Sequence, residues 1–216
     1  AYAHFMEPIL QLTGLSLVSI TSLFSLLMFI SLFMVAVALY KLLDNKLLAI
    51  IGFISFLYAI ITSFMLFPYQ LLYQIYPIRL IFPAYALLAA VFYFKQPTTK
   101  SFLIHIAVLS LGVLWNIDRG IIALASFSAA SLFPALCRSQ LTILQKGMLT
   151  LRDVLLICIV FVAIMYLYSL YINTRYAVWP DLHQLFVSFE WFSRVDSIKD
   201  YPLNKTCIFG IFVYVM

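Results

Sequence analysis

Residues 102–137 read FLIHIAVLSLGVLWNIDRGIIALASFSAASLFPALC. Two apolar runs flank Trp115-Asn116-Ile117-Asp118-Arg119-Gly120, where opposite charges sit side by side with almost no loop between spans. The runs are continuous, unlike the alternating segments of about ten residues in an outer-membrane barrel, so they predict helices crossing a bilayer. A helix satisfies its own backbone in lipid, which is what the hydrocarbon requires. An ion in or beside hydrocarbon costs about 2.5–3.5 kcal/mol or more, which makes Asp118 and Arg119 candidate functional residues. The ordinary alternative is a solvated turn built on Asn116, Asp118 and Gly120.

The rest of the chain has the same character. Of its 216 residues, 65% are hydrophobic and 10% charged, with a mean hydropathy of +1.08. A soluble domain has roughly 45–50% apolar and 25% charged residues, so the composition excludes that class. The net charge of +5 comes from basic residues scattered at span ends, which points to membrane orientation and not to nucleic acid. Cys137, Cys158 and Cys207 have no metal-ligand spacing, so no metal site is read from them. The chain starts at Ala1 without Met and stops inside the apolar run Ile208–Met216. It is therefore expected to be a fragment of a longer protein, with residues 1–216 forming a single transmembrane helical domain.

The expected fold is all-α, a polytopic bundle of about six to seven transmembrane helices. Ala1–Thr13 reads as the end of an outer loop. Spans follow over Leu15–Tyr40, Leu47–Phe67, Arg79 to about Phe94 with Pro83 inside, Phe102–Trp115, Gly120–Cys137 and Val154–Tyr171. Small residues in the fifth of these, Ala123, Ala125, Ser126, Ser128, Ala129, Ala130 and Ser131, place it within the bundle. Asn173–Lys205 is the one long hydrophilic stretch. Within it Leu182, Leu185, Phe186, Phe189, Phe192 and Val195 recur at helical spacing behind Asp181 as N-cap, which predicts an amphipathic helix on the membrane surface or on the protein itself.

Alternate connections separate the charges. Lys41, Lys46, Lys95, Lys100, Arg138, Lys146 and Arg152 fall on one side, against Arg79 and Arg119 in the short loops of the other. The positive-inside rule puts the first side in the cytoplasm. Arg79, Asp118, Arg119 and the segment 172–206 then face outward, where Asn204-Lys205-Thr206 fits a glycosylation pattern. His105 reads as a buried neutral histidine with a backbone partner, since no carboxylate lies at its depth to complete a proton relay.

This topography predicts an extracytoplasmic polar pocket with Arg79, Asp118 and Arg119 at similar depth and Trp115 beside them. The arginine fork suits bidentate contact with phosphate or carboxylate. The competing account is architectural: Arg79 pairs with Asp118 and locks two helix ends.

Arg79-Leu80-Ile81-Phe82-Pro83, a cytoplasmic connection, and then Leu111-Gly112-Val113-Leu114-Trp115 followed by Asn116-Ile117-Asp118-Arg119-Gly120 together resemble the middle of polytopic glycosyltransferases of the GT-C class. The aromatic outer segment Asn173–Lys205 is similar to the helices those enzymes place between spans, and the likeness covers about residues 75–205. What the resemblance implies is transfer of a sugar from a polyprenyl-phosphate-linked donor to an acceptor at the extracytoplasmic face, in a bacterial inner (plasma) membrane. It implies that Arg79 and Arg119 hold the donor phosphate, with Asn116 beside them. Asp118 orients Arg119 or binds a sugar hydroxyl, and Trp115, Trp179 and Trp191 stack on sugars. The class uses a carboxylate of its first outer loop as general base or metal-binding acid, which leaves a divalent metal ion open as cofactor. Here the sequence departs from the pattern: Glu7 is the only acid before Asp44, so the base is expected upstream of Ala1, with Glu7 as substitute.

Two other classes compete. A transporter or channel subunit needs ionisable residues along a mid-membrane path, and the mid-span positions lack them. A structural subunit of a membrane complex, partnered by other membrane subunits, fits the high phenylalanine content.

Overall fold

The computed structural model describes residues 2–14, 16–66, 72–137 and 142–181. Every regular element among them is an α-helix: α1 (Tyr2–Thr13), α2 (Leu17–Leu42), α3 (Lys46–Leu66), α4 (Leu72–Lys95), α5 (Thr99–Trp115), α6 (Ile117–Cys137) and α7 (Ile143–Tyr176). The amphipathic helix expected after Asp181, Trp191, the Asn204 sequon and the closing run from Ile208 lie outside the described residues.

Among the described residues three helices, fewer than the six to seven expected, are long and apolar enough to cross a membrane: α2, the Pro77–Lys95 part of α4, and α7. Shorter apolar helices run over Lys46–Thr62 and Thr99–Trp115. The surface agrees, because Phe29, Phe33, Tyr58, Ile159 and Val162 are all well exposed. A water-soluble monomer does not carry so large a contiguous apolar surface.

α4 is the hub. It packs against α2 on one side and α5 and α6 on the other, α7 covers α5 and α6, and α3 leans chiefly on α2. Small residues let α4 sit there: Ala84, Ala86 and Ala89 are buried and bring its backbone close to its neighbours. The central cluster joins Ala86 and Ala89 to Phe102, Ile106, Leu109, Ala123 and Phe127. Of the small residues expected to place α6 in the bundle, Ala123 and Ser131 are buried and share a face with Phe127, whereas Ala125, Ser126 and Ala129 are exposed.

The buried serine hydroxyls among the described residues are satisfied within their own helices. Ser31 donates to the Leu27 carbonyl at 2.7 Å, Ser110 to Ile106 at 2.8 Å and Ser169 to Met165 at 2.9 Å. This back-bonding to the preceding turn is how a serine sits in a dry interface without an orphaned donor.

Several boundaries differ from the sequence expectation: α4 starts at Leu72 and not Arg79, α6 at Ile117 and not Gly120, and two differences go further. The lead expected as loop is helix α1, held down by Met6, which is buried with Phe24 and Ile78. The sixth span starts at Ile143, so Lys146, Arg152 and Asp153 ride on α7 and not in a loop. A capping box explains the early start: Gln145 N–H donates to Thr142 Oγ1 at 3.3 Å, and Thr142 N–H donates to Gln145 Oε1 at 3.0 Å. With 34 residues, α7 is about 51 Å long at 1.5 Å per residue. That exceeds a hydrocarbon core of about 30 Å, so the helix is long enough to cross one with its polar ends outside it.

Candidate functional site

The chain reverses between α5 and α6 on one residue. Asn116 alone leaves the helical conformation, with φ −148° and ψ 108°. Its N–H donates to the Gly112 carbonyl at 3.0 Å, and its own carbonyl accepts from Gly120 N–H at 2.7 Å. Its side-chain oxygen accepts from Arg119 N–H at 3.3 Å. One asparagine therefore closes α5 and opens α6.

So sharp a reversal needs bare backbone at the crossing. A Cβ on Gly120 would run into the Gly112 carbonyl and Val113 Cα, and a Cβ on Gly112 would meet the Phe82 ring. These two glycines let α6 lie against α5, and α5 against α4.

Asp118 and Arg119 consequently sit in the first turn of α6, not in a loop. Asp118 there complements the positive end of the helix dipole, and its Oδ2 lies 3.9 Å from Arg119 Nε. Both side chains are partly exposed, and such a surface pair contributes about 0–1 kcal/mol. Arg79 is exposed on α4, and no ion pair joins it to Asp118 among the described residues. The architectural lock between those two residues does not form.

Trp115 forms the lock instead. Its indole Nε1–H donates to the Ile78 carbonyl at 2.9 Å, the residue before Arg79. The Trp115 ring lies 6.0 Å from Phe5 and 6.2 Å from Phe82, centroid to centroid. It therefore connects α1, α4 and α5, and it brings the backbone beside Arg79 against the turn that carries Asp118 and Arg119.

Glu7 is engaged at the same end. Its Oε1 accepts from Arg175 Nη2 at 3.0 Å and from Gln11 Nε2 at 3.0 Å. Its Oε2 accepts from the Tyr176 hydroxyl at 2.6 Å. Bonds to a charged acceptor are stronger than neutral ones, and contact with water weakens them. Sequence pattern carries no sign of the Arg175 and Tyr176 pairing; the only available signal is a basic residue in the last turn of a helix, where it complements the C-terminal dipole.

The charged residues thus fall at two ends. By helix order Glu7, Arg79, Asp118, Arg119 and Arg175 lie toward the end that holds Trp115, while Lys41, Lys46, Lys95, Lys100, Lys146 and Arg152 mark the other. Trp179 lies just past α7, outside any helix, and is exposed.

His105 sits apart from this end. Its Nδ1 is 2.8 Å from the Tyr85 hydroxyl, so a tyrosine side chain takes the place of the backbone partner expected from sequence. Phe127 packs edge-on against the imidazole at 5.5 Å. Among the described residues no cluster of His, Cys, Asp and Glu has the make-up of a metal site. Comparison with protein-family models, with curated proteins and with solved structures found no match.

Proposed function

We propose that this chain is the membrane domain of a glycosyltransferase of the GT-C type, taking a sugar from a polyprenyl-phosphate donor and delivering it to an acceptor at the extracytoplasmic face. The observation that supports this reading is the Trp115–Ile78 hydrogen bond, which fastens the turn leading to Asp118 and Arg119 to α4 at the residue before Arg79. α2 to α7 serve as six spans, and the positive-inside rule turns the Trp115 end outward.

In such a reaction the acceptor hydroxyl attacks the anomeric carbon, its proton passes to a carboxylate base, and the bond from that carbon to the phosphate oxygen breaks. Charge grows on the departing phosphate. Arg79 and Arg119 are the groups suited to receive it, since preorganised cations at a developing anion supply a large part of such catalysis. Asp118 orients the Arg119 guanidinium. Glu7 serves as base only when it leaves Arg175, because both of its oxygens are engaged.

The test is transfer by purified protein in lipid nanodiscs, supplied with radiolabelled polyprenyl-phosphate hexoses and pentoses and an envelope acceptor fraction. Asp118→Asn and Arg119→Ala should lose transfer while inserting and folding normally. Transfer at the native rate in the double variant would remove the proposed site.

A further inference from the structure

α1 lies across the Trp115 end of the bundle and is joined to it in three unequal ways. At its N-terminal half Phe5 stacks on Tyr168 at 6.1 Å and meets Trp115 at 6.0 Å, and Met6 is buried with Phe24 and Ile78. Toward its C-terminal end the helix is bare, with Leu12 89% exposed. At its C-terminal end the chain passes to α2 through Gly14, whose φ of +85° favours glycine. A Cβ there would meet nothing within 4 Å, and the corner is spanned by two hydrogen bonds between exposed residues, Ser16 N–H to the Gly14 carbonyl at 3.0 Å and the Ser19 hydroxyl to the Thr13 carbonyl at 3.2 Å, which water can replace as α1 turns.

The third attachment is polar and distant in sequence. Glu7 reaches the last turn of α7, where it holds Arg175 and the Tyr176 hydroxyl. Both members of the ion pair are 35% exposed, so water is at hand to replace each bond as it breaks. An apolar seat, a glycine corner and a solvent-accessible ionic bridge are the parts of an element that opens locally while the bundle stays folded.

We propose that α1 is a hinged cover over the Trp115 end of the bundle, latched by Glu7 to Arg175 and Tyr176. Swinging about Gly14, it uncovers Ile78 and the Trp115 ring, next to Arg79. The proposal concerns access to the end that the transferase reading uses, but it stands on the geometry of α1. Its test reads thiol labelling and distance, not sugar transfer, so the two fail separately.

The test places one cysteine at Ile78, which is buried, in protein whose Cys137, Cys158 and Cys207 are replaced by serine. Labelling by a membrane-impermeant methanethiosulfonate is then timed in nanodiscs. Glu7→Arg should label about tenfold faster, the change expected when a closed state loses an ion pair and its hydrogen bonds. Adding Arg175→Glu should slow labelling back toward the starting rate, while a cysteine at the exposed Leu12 labels at one rate throughout. Equal rates at position 78 in all three backgrounds, or a swap that stays fast, would overturn the latch. Should Glu7→Arg fail to fold, nitroxides at Leu12→Cys and Val178→Cys report on Glu7→Gln. A second, longer distance population in Glu7→Gln supports the cover, and an unchanged single population overturns it.

Discussion

The indole N–H of Trp115 donates to the carbonyl of Ile78 at 2.9 Å, and this one bond fastens the α5–α6 turn to α4 beside Arg79. A tryptophan at a span end is by default an interfacial anchor, its ring at headgroup level. Here the ring is half-buried among Phe5, Phe82 and Ile78, so it holds helices together.

Trp115→Phe should keep the packing and lose the bond. The expected cost is about 1 kcal/mol, in the range of polar interactions between membrane helices. Trp115→Ala should cost about 3–5 kcal/mol, because the ring's volume goes too. Thermal unfolding in nanodiscs should therefore rank native above Trp115→Phe above Trp115→Ala; native melting in Trp115→Phe would show that the hydrogen bond contributes nothing.

Gly120→Ala and Gly147→Ala should move stability in opposite directions. At position 120 the new methyl strikes the Gly112 backbone, and forcing such a clash costs about 1–3 kcal/mol or more. At position 147 on α7 it meets open space, and alanine should gain up to about 1 kcal/mol of helix propensity. Unfolding of both variants under one condition checks the pair.

Tyr85 and His105 should behave as a unit. Tyr85→Phe leaves the imidazole without its hydroxyl partner, at a cost of about 1–3 kcal/mol. Tyr85→Phe combined with His105→Phe removes both polar groups and should cost less than the two single changes summed. A double-mutant cycle measures this, and strict additivity would deny the coupling.

Much of the architecture is legible in the sequence. Long uncharged runs between Lys41, Lys46, Lys95 and Lys100 leave a chain in lipid little choice but helices, and the short polar gaps give their alternation. What is not legible depends on packing between distant residues. α1 reads as loop because its mild polarity is uninformative until Met6 has Phe24 and Ile78 to pack on. The early start of α7 depends on a local signal, the Thr142 and Gln145 box, that the neighbouring charges obscure. At the candidate site Asn116 and Gly120 mark the place of the turn, but the helix resumes at Ile117, so Asp118 and Arg119 belong to α6. The sequence also leaves open whether Arg79 meets Asp118; among the described residues the carboxylate's ion pair is instead with its own neighbour Arg119, at 3.9 Å. Glu7 stands out in the sequence for its chemistry, whereas its grip on Arg175 requires the fold.

The most direct test of the central claim is the affinity of purified protein in nanodiscs for a short-chain polyprenyl phosphate. If Arg79 and Arg119 form one anion site at the Trp115 end, Arg79→Ala/Arg119→Ala should weaken binding about a hundredfold, roughly tenfold for each charge-assisted hydrogen bond removed. Arg152→Ala, at the opposite end, should leave it unchanged. Native affinity in the double variant, or an equal weakening in Arg152→Ala, would contradict the account.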